Sequence, residues 1–121
     1  MAALGWTATV LVGLWMPPPP VIIPNVWLDK VTHAGMFAGV GGLWQWVATR
    51  TNTQPRQSWA VLGGSVALGA LTEVGQGVLP WGRTADPADL AFDALGAVIG
   101  VVAGVYIRPP WREPKRLTPP T

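Results

Sequence analysis

The chain has 121 residues, of which 12% are charged and 50% hydrophobic, with a positive mean hydropathy and a formal net charge of +2. A soluble domain carries about a quarter of its residues as charges, so this composition leaves too little polar cover for a soluble enzyme domain. The absence of cysteine removes disulfide frameworks and thiolate metal sites, and no nucleic-acid partner is expected, because membrane topology accounts better for the basic residues.

Charge is also unevenly spread. No Asp, Glu, Lys or Arg occurs in 1–28, 31–49, 57–72 or 94–107. A bilayer core of roughly 30 Å needs about 20 helical residues. The first predicted helix, 2–16, ends at Pro17 and is at the short end of what can cross; a cleaved signal is disfavoured by the lack of basic residues and of a small-x-small site. A proline-rich connection leads to the second helix, 29–48. A polar loop, 50–57, separates it from the third, 58–79, which Pro80 closes. A turn containing Gly82, Arg83 and Pro87 precedes the fourth, 88–107, stopped by Pro109 and Pro110. The expected architecture is all-α, an integral membrane four-helix bundle with short loops over 1–108, followed by a disordered, basic, proline-rich cytoplasmic tail over 109–121.

Four spans put both termini and the 50–57 loop on one side. Six of the eight basic residues lie there (Arg50, Arg56, Arg108, Arg112, Lys115 and Arg116), against Lys30 and Arg83 opposite. The positive-inside bias makes that side cytoplasmic. The eight tryptophans fit the membrane boundaries: Trp6, Trp44, Trp46, Trp59 and Trp111 near inner ends, Trp15, Trp27 and Trp81 near outer ends. Core packing is the alternative use of the same rings.

Gly96, Gly100 and Gly104 recur on one face of the fourth helix, and Gly35 and Gly39 on one face of the second. Such small faces permit close helix contact in lipid, within the bundle or between copies in a homo-oligomer.

The outer ends concentrate the ionisable residues: Asp29, Glu73, Asp86, Asp89 and Asp93, with Lys30, Arg83 and His33 on the same side. His33 shares a face with Lys30 and Phe37, and Gln76 lies one turn from Glu73. Asp29, Lys30, Arg83 and Asp86 can reach water. Glu73 and Asp93 sit one to two turns inside, where an unpaired acid costs about 2.5–3.5 kcal/mol at the centre of a span, so His33, Lys30 or Arg83 is expected to pair with them. Two uses fit: a clamp holding the helices, or an outward-facing cavity for a lipid-linked or polar ligand. Acid–base catalysis by Glu73 or Asp93 with His33 has the right groups but no Ser or Cys nucleophile motif. His33, Asp89, Asp93 and Glu73 could offer metal ligands, yet their spacing matches no metal signature, so neither metal nor cofactor is expected.

Three blocks together resemble the VanZ-like family of small bacterial membrane proteins: Asp29-Lys30-x-x-His33; Glu73-x-x-Gln76 with Pro80 and Arg83; and Asp89 with Gly96 and Gly100. Asp93 stands where the family usually has Asn, and Phe37 where an aromatic residue, often Tyr, follows the histidine. An ionised carboxylate only accepts hydrogen bonds, whereas an amide also donates, so Asp93 is expected protonated or paired with Lys30, His33 or Arg83. The resemblance implies a multi-pass protein of the bacterial cytoplasmic membrane and, in some members, reduced susceptibility to teicoplanin. The ligand-binding candidates are then Asp29, Lys30, His33, Glu73, Gln76, Arg83, Asp89 and Asp93, facing a lipid or envelope precursor. A membrane-embedded enzyme acting on a lipid-linked substrate and a purely structural membrane subunit are the alternatives.

Overall fold

The computed structural model describes residues 1–17, 20, 25–51 and 55–107. Among them are four helices and no strand: α1 (Ala2–Trp15), α2 (Val26–Thr51), α3 (Pro55–Val78) and α4 (Pro87–Tyr106). The helix ends have local causes. Met16, which precedes a proline, is extended and ends α1. Asn25 Oδ1 accepts from the Trp27 and Leu28 backbone N–H groups at 3.1 and 3.2 Å, a cap that starts α2 upstream of the expected residue 29. Pro55 opens α3, and Asp86 caps α4 with Pro87 at its first turn, Oδ1 accepting from the Ala88 N–H at 2.9 Å. Gly82 supplies the left-handed backbone (φ 76°) for the turn between α3 and α4.

These caps correct the expected 50–57 loop. Arg50 belongs to the last turn of α2, its guanidinium 3.5 Å from the centre of the Trp46 ring, and Arg56 to the first turn of α3. The proposed tail over 109–121, with Arg108 and Trp111, lies outside the described residues.

Contacts across the helices define an up-and-down bundle. Lys30 meets Asp86 and Asp89, His33 meets Asp93, and Gly104 packs on Gln45, so α2 and α4 run parallel as the closest helix pair. α3 returns between them in the opposite direction, with Gly69 against Asp93 and Glu73 beside Asp86. α1 runs against α2: Trp6 Nε1 donates to the Met36 carbonyl and Trp44 Nε1 to Thr7 Oγ1, both at 3.0 Å. Ala2 and Ile107 therefore line one groove at the same end of the bundle.

The α2–α4 seam is built on missing side chains. A Cβ on Gly96 would overlap the Ala34 carbonyl oxygen and one on Gly100 that of Ala38, while one on Gly104 would come within 2.8 Å of the Gly42 carbonyl oxygen. Gly41 faces Ala97 in the same way, at 2.6 Å. Gly39 also packs closely, but under the Trp6 indole rather than a helix backbone. Gly35 makes no such contact within the bundle: nothing lies within 4 Å of a Cβ there, because it faces away from the seam.

The tryptophans divide. Trp27 and Trp59 are exposed, whereas Trp15 and Trp44 pack against the core of Val10, Leu14, Phe37 and Val40, where the packing alternative holds. Among the described helices, α4 is the one long and apolar enough to cross a membrane. α1 is apolar but has 14 residues, about 21 Å of helix, against the roughly 30 Å of a bilayer core. α2 and α3 are long enough, but their inward polar residues dilute the apolar run.

Candidate functional site

The polar cluster forms where the amino-terminal ends of α2 and α4 meet the carboxyl-terminal half of α3. Lys30 Nζ bridges Asp86 Oδ2 and Asp89 Oδ1, each at 3.0 Å. One turn deeper, His33 Nδ1 lies 2.9 Å from Asp93 Oδ1, and His33 Nε2 lies 4.0 Å from Asp89 Oδ2. Glu73 reaches in from α3, and its Oε2 accepts the Asp86 backbone N–H at 2.8 Å. The glycine seam makes this geometry possible. Gly96, three residues after Asp93, lets the backbones approach closely enough for a short aspartate to meet a histidine on the neighbouring helix.

Burial is nearly complete in the inner layer: His33, Glu73, Asp89 and Asp93 are 1, 6, 6 and 0% exposed. Two carboxylate oxygens there, Glu73 Oε1 and Asp93 Oδ2, have no hydrogen-bond partner. Asp93 Oδ2 is turned toward α3, where Gly69 leaves room for it: a Cβ on Gly69 would stand 3.2 Å from that oxygen. Asp86 is at the rim. Its carboxyl is held below the usual aspartate range, first by the Ala88 N–H and then by the Lys30 ammonium.

The expected site residues are thus only partly assembled. Lys30, His33, Glu73, Asp89 and Asp93 converge, and Asp29 stands exposed beside His33 and Asp89. Arg83 is elsewhere. Its Nε donates to the Met16 carbonyl at 3.0 Å, tying the α3–α4 turn to the end of α1. Gln76 is buried but points to α1, with Nε2 donating to the Leu14 carbonyl at 3.0 Å. The expectation that Arg83 or Lys30 pairs with Glu73 is corrected: a backbone N–H is the partner of Glu73, because the α4 cap brings residue 86 to it. The side chains of Lys30, His33, Glu73, Asp89 and Asp93 fill the space between their helices, and the grooves along α2–α3 and α2–α4 are lined by other residues.

Two contributors escaped the sequence reading. Asp86 belongs to the outer end but not to the expected site residues, although its position before Pro87 is a strong capping signal. Gly69 lies one turn before Glu73 on the same face of α3, a spacing that marks it as the small neighbour of whatever Glu73 faces. The Ser65 and Thr72 hydroxyls both donate to carbonyls of their own helix, so neither is presented as a nucleophile.

The fold and site together define a small all-helical bundle with a buried imidazole–carboxylate–ammonium cluster. No family model, curated protein or solved structure matches this chain.

Proposed function

We propose that this chain is a multi-pass membrane protein of the VanZ-like kind, seated in a bacterial cytoplasmic membrane with both termini inside. Its outer polar end engages the headgroup of a lipid or envelope precursor, and any contribution to teicoplanin resistance follows from that contact.

The observation that carries this reading is an inverted distribution of polarity. Among the described residues, the buried set includes His33, Gln45, Thr72, Glu73, Gln76 and Asp93. The exposed set includes Leu95, Val98, Ile99 and Val102, a continuous stripe on α4, and Leu71, Val74 and Val78 on α3. In water those stripes would face inward. In lipid an apolar exterior is unpenalised, and polar groups gather inside the bundle. Both basic helix ends, Arg50 and Arg56, lie at the end of the bundle opposite Lys30 and Arg83, as the positive-inside bias requires of a cytoplasmic side.

At the outer end, Asp29 and the half-exposed Asp86 offer acceptors, and Arg83 offers a guanidinium suited to an anionic headgroup. A lipid or envelope precursor with hydroxyl, amide and phosphate groups matches both. The test combines topology and binding. A cysteine at Pro20 should react with an impermeant outside reagent, and Asp86→Ala with Arg83→Ala should reduce co-purified lipid and alter teicoplanin susceptibility. Labelling from the cytoplasmic side alone, or an unchanged lipid profile and susceptibility in both variants, would refute the reading.

A second reading has its own support. The Lys30 bridge to both Asp86 and Asp89 is what a pure clamp would use, and on that reading the cluster only locks α2 to α4.

A further inference from the structure

We infer that His33, Glu73 and Asp93 form a binding site for a divalent metal ion of the zinc class, buried between α2, α3 and α4. Four carboxylates (Glu73, Asp86, Asp89 and Asp93) converge on two groups that can be cationic, Lys30 and His33. With all four ionised, the sum is −2 even when the imidazole is protonated, and buried uncompensated charge is strongly penalised. A divalent ion with a neutral imidazole ligand changes the sum to −1. The remaining charge falls to Asp86, whose side chain is 46% exposed and reaches water.

Geometry points to the same place. One ligand atom each from His33, Glu73 and Asp93 lies within 4.8 Å of the others. Zinc–nitrogen and zinc–oxygen bonds of about 2.1 Å in tetrahedral geometry set two ligands of one ion about 3.4 Å apart, so the widest pair closes by up to about 1.4 Å, a movement shared between two side chains. The two partnerless oxygens, Glu73 Oε1 and Asp93 Oδ2, belong to two of these three residues, which are 6 and 0% exposed. Buried oxygens without donors are uncommon, and a cation between them removes the deficit.

The surroundings supply the outer layer that metal sites require. With Nδ1 on the ion, the imidazole proton is on Nε2, which faces Asp89 Oδ2 4.0 Å away. The other oxygen of Asp89 is fixed by Lys30 at 3.0 Å. A shift of about 1 Å would bring that carboxylate, held by the ammonium, into hydrogen-bond range of the imidazole N–H, the arrangement that orients a metal-bound histidine. Exposed Asp29, with His33 and Asp89, forms a second such trio nearer water. One imidazole and two carboxylates suit zinc or manganese and leave a coordination position open to water or a phosphate oxygen.

The inference does not rest on lipid binding, because metal uptake can be measured with no lipid added. Full-length protein purified in detergent and stripped with a chelator is titrated with zinc chloride and, separately, with cobalt chloride as a visible-absorption probe. The expected result is one ion per chain, with affinity at least about 100-fold weaker in Glu73→Gln and about 10–100-fold weaker in Asp89→Asn. Glu73→Gln is nearly isosteric and keeps an acceptor for the Asp86 N–H, so its folding is checked by helical circular dichroism. Gly35→Ala, on an exposed face of α2 with nothing within 4 Å of the new methyl group, should bind as the parent does. Failure of the parent to take up either ion, or equal uptake by parent and folded Glu73→Gln, overturns the site. Should Glu73→Gln not fold, an Asp89→Asn protein that binds as tightly as the parent does so instead.

Discussion

The α2–α4 seam is made in two different ways along its length. At the end nearest Asp29, side chains hold the helices together: Lys30 across to Asp86 and Asp89, His33 across to Asp93. From Gly96 to Gly104 the helices meet with almost no side chain between them, backbone against backbone at Ala34, Ala38 and Gly42. The glycine stretch sets distance but is nearly indifferent to which residue it meets, because dispersion has no direction. The polar stretch sets register, since a hydrogen bond or ion pair tolerates little misalignment. The second depends on the first: a two-carbon aspartate reaches His33 only because the backbones are drawn together one turn away.

The largest effect is expected at the polar end. His33→Ala leaves Asp93 buried without its partner, and breaking one side of a buried pair costs about 3–5 kcal/mol. Replacing both, His33→Leu with Asp93→Leu, should recover most of that loss in denaturant unfolding in detergent while abolishing zinc uptake. A single variant as stable as the parent would show that this end does not hold the seam.

The next effect belongs to the glycine end. Gly100→Leu drives a side chain into the Ala38 carbonyl, and overpacking of this kind costs about 1–3 kcal/mol, whereas Gly35→Ala should leave the thermal midpoint within error of the parent. Equal midpoints for Gly100→Leu and Gly35→Ala would contradict the account of the seam.

The smallest effect is one of pH. Asp86 is held below the usual range in the folded protein, so its contribution is fully present above its unfolded-state value and is lost as pH falls through the lower folded value. Asp86→Asn keeps an effective helix cap but removes the charge. It should flatten the acid limb of the stability curve below about pH 4, modestly, because the group reaches solvent. Parallel acid limbs in parent and variant would place the acid sensitivity elsewhere.

How much of this was legible in the sequence depends on the range over which each feature acts. Gaps between charges and the prolines placed four helices in order, because helix formation and termination are local. Even so, Asn25 and Pro55 extended α2 and α3 beyond the expected bounds, since a single side-chain cap outweighs the charge pattern at a helix end. The glycines of α4 line the contact with α2, whereas Gly35 meets no neighbouring helix of the chain, because a four-residue spacing gives a face but not its neighbour.

By itself, the sequence determined an all-helical chain whose acidic residues, lysine and lone histidine gather toward one end. These follow from composition and from the 3.6-residue period of a helix. Only the tertiary structure decided which of those residues meet. It sent Arg83 and Gln76 to α1, brought Asp86 to Glu73 and Lys30, and left two buried carboxylate oxygens, on Glu73 and Asp93, without a donor. The rotation of each helix about its axis is fixed by the glycine contacts of the whole bundle, a property that no single segment carries.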